Sequence, residues 1–132
     1  MANFKAVLYS LLFIWTLLSC CNAKKAFNPH LRIGSRPYAD YLLDRAVIQK
    51  EGDEFFEKVT ETYRFSGGYA TNITYIQALN QNTKKGKGGH AHVVNGGIGR
   101  SNVTLQFTSD EGRPINFVVE VYGTVKRNRH HG

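Results

Sequence analysis

Two stretches in the last third of the chain alternate in side-chain character with a period of two, and this limits the fold more than any other feature. Val103, Leu105 and Phe107 alternate with Asn102, Thr104, Gln106 and Thr108; Ile115, Phe117, Val119 and Val121 alternate with Asn116, Glu120 and Tyr122. Successive side chains of an extended strand point to opposite faces, so each stretch reads as a strand with one buried face. Asp110-Glu111-Gly112-Arg113-Pro114 lies between them and has the composition of a turn. An apolar sheet face needs a second layer against it, and here that layer is another sheet.

The remaining chain supplies candidates for it. Leu42 to Lys50 ends in Val47-Ile48 before Glu51-Gly52-Asp53, which favours strand followed by turn. Val59 to Phe65 places Val59, Tyr63 and Phe65 on one face, interrupted by Glu61, and stops at Ser66-Gly67-Gly68. Ile73 to Leu79 is apolar on both faces, with Ile73, Tyr75 and Leu79 opposite Ile76 and Ala78, and reads as a central strand packed from both sides. His90 to Val94 is a short strand closed by Asn95-Gly96-Gly97-Ile98-Gly99. Short strands at regular spacing, with glycine-rich turns and no amphipathic helix, predict one antiparallel β-sandwich-like domain of six to seven strands. The expected organisation is a leader over 1–23, an irregular arm over 24–41, the β domain over 42–123 and a basic flexible tail over 124–132.

The leader has the features of a secretory signal. Lys5 supplies the positive start, Ala6 to Leu18 is mostly apolar, and Cys21-Asn22-Ala23 carries small residues at the two positions a signal peptidase reads. The apolar run is shorter than the roughly 20 residues needed to span a bilayer. Cleavage after Ala23 leaves roughly 110 residues, about the commonest size of one domain. It also removes Cys20 and Cys21, the two cysteines of the chain. Small exported domains often depend on disulfides; this one must depend on packing and sheet hydrogen bonds. A thiol nucleophile and a cysteine-based zinc site are excluded with them.

The whole chain carries 17 Lys and Arg against 10 Asp and Glu, a net charge of +7. Such an excess favours acidic partners outside the cell. Its basic residues cluster at Lys84, Lys85 and Lys87 and at Lys126, Arg127 and Arg129, candidates for gripping a sulfated sugar or another polyanion. Neither cluster is interleaved with the aromatics that stack on bases, so specific nucleic-acid recognition is not expected. Asn72-Ile73-Thr74 and Asn102-Val103-Thr104 match the N-glycosylation acceptor pattern, and Asn102 should face solvent. His90 and His92 share one side of a strand, but zinc wants three or four ligands, and His30, His130 and His131 have no evident way to join them. No metal or cofactor is expected. The glycine clusters at 86–89 and 96–99 precede β-patterned sequence rather than a helix, which makes them turns and not phosphate loops. Ser35, Ser66, Ser101 and Ser109 lack an elbow motif or a paired base, and no enzymatic activity is expected.

Four segments, taken in order, resemble the multiprotein bridging factor 2 family. They are Asn72-Ile73-Thr74-Tyr75-Ile76, Gly96-Gly97-Ile98-Gly99, Val103-Thr104-Leu105-Gln106-Phe107-Thr108-Ser109 and Ile115 through Gly123. The likeness runs from about Leu42 to Gly123. It implies a small, secreted arthropod protein of the salivary type. The family takes its name from a coactivator that bridges a DNA-bound factor to the transcription machinery, a nuclear role at odds with an export signal. No catalytic residue carries over. The expectation is a secreted, non-enzymatic binding protein from saliva, venom or another secretion, with an unidentified protein or polyanion as partner. An intracellular coactivator and a heparin-binding protein using the basic loop and tail are the alternatives.

Overall fold

The computed structural model describes residues 28–82 and 88–127. Seven strands run through them: β1 (Leu31–Gly34), β2 (Tyr41–Lys50), β3 (Thr60–Ser66), β4 (Thr71–Asn80), β5 (His90–Gly96), β6 (Asn102–Thr108) and β7 (Ile115–Val125). They form a four-stranded sheet in the order β1-β4-β7-β2 and a three-stranded sheet in the order β3-β6-β5. Every pairing is antiparallel. The fold is therefore the all-β sandwich that the alternation predicts. Among the described residues, no helix is long and apolar enough to cross a membrane.

The core lies between the inner faces. Val103, Leu105 and Phe107 of β6 meet Ile115, Phe117, Val119 and Val121 of β7, all buried, with Ile73, Ile76 and Ala78 of β4 beside them. The Phe107 and Phe117 rings sit 4.9 Å apart at 54° across the gap between sheets, within the tilted geometry aromatic pairs prefer. The described residues contain no cysteine, so their stability rests on this apolar layer; each fully buried side chain of this size contributes about 1.5–3 kcal/mol.

Three sequence readings are corrected. Leu31–Gly34, placed in the irregular arm, is strand β1, with Leu31 opposite Ala78 and Ile33 opposite Ile76. Four residues between Pro29 and Pro37 are too few to show a period, and a neighbour strand makes them regular. Second, β4 buries one face rather than two. A register shift between Ile73 and Tyr75 places Ile73, Ile76 and Ala78 on the same inner face, because a bulge resets the alternation by one residue. Third, the β domain does not stop at 123: β7 runs through Gly123 to Val125, taking in two residues assigned to the tail. A Cβ on Gly123 would lie 2.2 Å from the Asn72 carbonyl oxygen and 2.7 Å from Leu43 Cδ1. This glycine admits the bulged neighbour instead of breaking the strand. Gly34 does the same on the other side of β4: it has φ +87°, and a Cβ would lie 2.2 Å from the Thr74 carbonyl oxygen.

The β2–β3 side of the sandwich is closed by polar contacts. Lys50 Nζ donates to the Thr60 carbonyl at 2.9 Å, and the Tyr63 hydroxyl donates to the Asp44 carboxylate. Burial first, then that hydrogen bond, pushes the Tyr63 phenol above its ordinary value. Folding thus favours the protonated phenol. Its contribution is complete below about pH 10, the unfolded value, and is lost as pH climbs past it. Tyr63→Phe should cost about 2 kcal/mol at neutral pH, since Asp44 loses its donor. Urea unfolding measured from pH 7 to 11 should show the gap between the two proteins shrinking at the alkaline end. A constant gap would show that this phenol does not report on folding.

Candidate functional site

Four chain segments converge at the end of the sandwich where β4 begins and β7 finishes. They are the β1–β2 connection (35–40), the β3–β4 turn (67–70), the β5–β6 turn (97–101) and the residues after β7. Backbone hydrogen bonds tie them together. The Ser35 amide donates to Thr74 O at 3.1 Å, Gly99 to Ile73 O at 2.8 Å, Ile73 to Arg100 O at 2.9 Å, and Gly67 to Ser101 O at 2.8 Å. The Lys126 amide donates to Ala70 O at 3.0 Å. The run Gly96-Gly97-Ile98-Gly99 makes this possible: Gly96, Gly97 and Gly99 all have positive φ, a conformation other residues adopt only under strain. The turn it forms belongs to one sheet and bonds to β4 of the other. It is a structural clasp, followed by a strand as its sequence context implies.

The β1–β2 connection is fixed by its side chains. Arg36 makes a forked contact with Asp40, Nε and Nη2 both at 3.2 Å from Oδ1, and its guanidinium lies 3.9 Å above the centre of the Tyr122 ring. Asp40 also accepts from Thr74 Oγ1 at 3.1 Å. The Asp40 hydrogen bond holds the guanidinium even more firmly protonated than usual. Tyr122 in turn donates to Glu120, and that bond, with partial burial, raises its phenol. Glu120 accepts from Gln77 Nε2 at 3.0 Å and faces Arg45 Nε at 3.7 Å. Tyr75 completes the face, 5.9 Å from Tyr122. Glu120 therefore serves three neighbours, and the network closes on itself. It holds a loop in place.

What this end offers to a partner is charge and aromatic surface. Arg100, Lys126 and Arg127 are exposed and Arg36 half-exposed, whereas the one acidic residue in these segments, Asp40, is buried against Arg36. Tyr38 and Tyr69 are fully exposed at the tips of two loops, with Ile98 and Val125 partly exposed beside them. A cation-rich surface with exposed aromatic tips suits an anionic partner that has some apolar or ring surface.

The sequence candidates are dispersed. Lys126 and Arg127 belong to this end; Lys84, Lys85, Lys87 and Arg129 lie outside the described residues. Asn82 and Gly88, which bracket the lysine segment, bond to Pro114 O and to the Asp110 carboxylate at the opposite end. Ten residues of β4 separate the two ends, about 33 Å of strand. Asn82 and Gly88 thus lie at the end of the sandwich away from Lys126 and Arg127. Asn102 is exposed and Asn72 half-buried, each beginning a strand at the loop end. His90 and His92 are exposed side by side on β5, ring centres 6.0 Å apart. Sequence reasoning missed Arg36, Tyr38, Tyr69 and Arg100, which join only through topology. A faint signal existed in Tyr38 and Tyr69, aromatic residues within turn sequence that no strand pattern needs for its core.

Comparison with known proteins gives a consistent picture. No solved structure matches the chain. A probable salivary secreted peptide of Bombus ignitus is 39% identical over 101 residues, covering 76% of this chain and 72% of that protein. The model of the family described as transcription activator MBF2 matches residues 33–123, a span that begins inside β1, ends inside β7 and takes in the β5–β6 clasp and its β4 acceptor. The chain belongs to the transcription activator MBF2 family.

Proposed function

We propose that the protein is a secreted, non-catalytic binding protein whose loop end engages an acidic partner, with a sulfated polysaccharide as the representative chemistry. The observation that carries this reading is that the segments bearing Arg36, Arg100, Lys126 and Arg127 meet at one end of the sandwich together with the loops that expose Tyr38 and Tyr69. Secretion is supported by the leader over residues 1–23 and by the salivary naming of the Bombus ignitus relative. Long-range attraction between this cationic chain and an acidic polymer speeds encounter, and contact releases counterions, so affinity should fall steeply with salt.

The test is salt elution from heparin. The chain starting at Lys24 should be retained at low salt, and the variant Arg100→Ala/Lys126→Ala/Arg127→Ala should elute much earlier, with its salt slope smaller by about two. Lys84→Ala/Lys85→Ala/Lys87→Ala should change elution less. If only the lysine variant loses retention, the site belongs at the other end of the sandwich; flow-through of the unmodified protein ends the polyanion reading altogether.

The family description, transcription activator, supports a second reading, an intracellular coactivator. It requires an uncleaved chain in the nucleus. Recovery of protein from the medium with Lys24 as its first residue would exclude it.

A further inference from the structure

Of the four edge strands, β5 has the fewest defences against pairing. Strand edges present unpaired amides and carbonyls, and proteins guard them with charge, proline, bulges or brevity. β1 has only four residues, and one of them is Arg32. β2 carries Arg45, an inward Asp44 and a register shift between Leu42 and Asp44. β3 carries Glu61 and Arg64. β5 reads His-Ala-His-Val-Val-Asn-Gly, with no formal charge and no proline. Its register shift falls between Val93 and Asn95, which leaves His90 to Val93 regular and paired on one side only, to β6.

The outer face around this edge is just as neutral. Thr60, Thr62 and Ser66 of β3 and Asn102, Thr104, Gln106 and Thr108 of β6 share it with His90 and His92, and Arg64 is its one permanently charged side chain among the described residues. On a molecule of net positive charge, the described residues of this face offer a second copy little repulsion.

His90 and His92 are both exposed, two residues apart on one face, with rings 6.0 Å apart and inclined by only 29°. Two imidazoles make half of a tetrahedral site, and a single copy assembles no group of three metal-ligating side chains among its described residues. An antiparallel pairing of β5 with itself, centred on Ala91, supplies the other half. Such a two-fold axis stands perpendicular to the sheet and keeps both outer faces on the same side. His90 then lies opposite the second copy's His92, and His92 opposite the second copy's His90. Directly opposed Cβ atoms are about 4.5–5.5 Å apart, and neighbours on one face are separated by about 6.6 Å along the strand. Four rings on that rectangle can converge on one ion at about 2.0–2.1 Å.

We propose that β5 is the seam of a metal-bridged dimer, in which His90 and His92 from two copies bind one divalent ion that favours imidazole, zinc being the representative. The seam joins two three-stranded sheets into one of six strands.

Light scattering of the chain starting at Lys24 tests this, with zinc as the probe. Half an equivalent of zinc per chain should double the mass, and EDTA should return it to that of one chain. His90→Ala and His92→Ala should each abolish the change while leaving the circular dichroism spectrum intact, as expected for exposed side chains. His130→Ala/His131→Ala should dimerise normally. A chain that stays monomeric in excess zinc overturns the proposal, as does zinc-driven dimerisation that survives either β5 substitution. A dimer that persists in EDTA overturns the role of the metal.

Discussion

Phe117→Ala should lower the unfolding free energy by about 3–5 kcal/mol. The ring has no solvent exposure, sits near the start of the longest strand and packs 4.9 Å from Phe107 across the sandwich. Truncation removes its contacts and leaves a cavity between two hydrogen-bonded sheets, neither of which collapses without breaking ladder bonds. A domain of this size has about 5–15 kcal/mol in total, and its described residues contain no cysteine to cross-link the unfolded state. Chemical denaturation should therefore show a midpoint shifted to roughly half its original value, with the slope unchanged. Phe107→Ala should behave alike. The double variant should lose less than the sum, by about 0.5–1.5 kcal/mol, because the two rings are each other's partners. Strict additivity would show that the ring pair contributes nothing beyond burial.

Gly123→Ala should be nearly as damaging, about 3 kcal/mol, at the upper end of what overpacking costs. The added methyl would meet the Asn72 carbonyl oxygen at 2.2 Å and Leu43 Cδ1 at 2.7 Å. Leucine can rotate away, but the carbonyl belongs to β4, which is hydrogen-bonded to β7 along its length. Relief requires opening the ladder at the centre of the sheet. Gly34→Ala meets an equally close carbonyl and adds a positive φ, yet it should cost less, because β1 is a four-residue edge strand that can detach locally. Thermal melts of the two variants should rank Gly123→Ala below Gly34→Ala. The reverse order would place the essential contact on β1 and not at the bulge.

These substitutions mark where sequence reasoning stopped. β6 and β7 were legible because a strand that buries one face writes its geometry directly into the alternation of its side chains. β4 was readable as a central strand, yet its apparent two-sided apolar pattern was a single buried face read through an unseen bulge. Nothing in Ile73-Thr74-Tyr75 announces that bulge. Its trace lies in the two glycines that accommodate it, 39 and 50 residues away in either direction, and a glycine inside a strand pattern reads equally well as a stop. The loop end was less legible still. Arg36, Tyr38, Tyr69 and Arg100 gain meaning only when the strands that carry them are arranged side by side, whereas Lys126 and Arg127 were visible as a local run of charge.

The strand order has a consequence for how the chain is made. β7 lies between β4 and β2, so the last strand to leave the ribosome is the one that both earlier strands require. Until it emerges, β2 has no partner strand and β4 is paired on one side only, to β1. Completion of the four-stranded sheet is thereby deferred until β7 has been made, a timing set by topology alone.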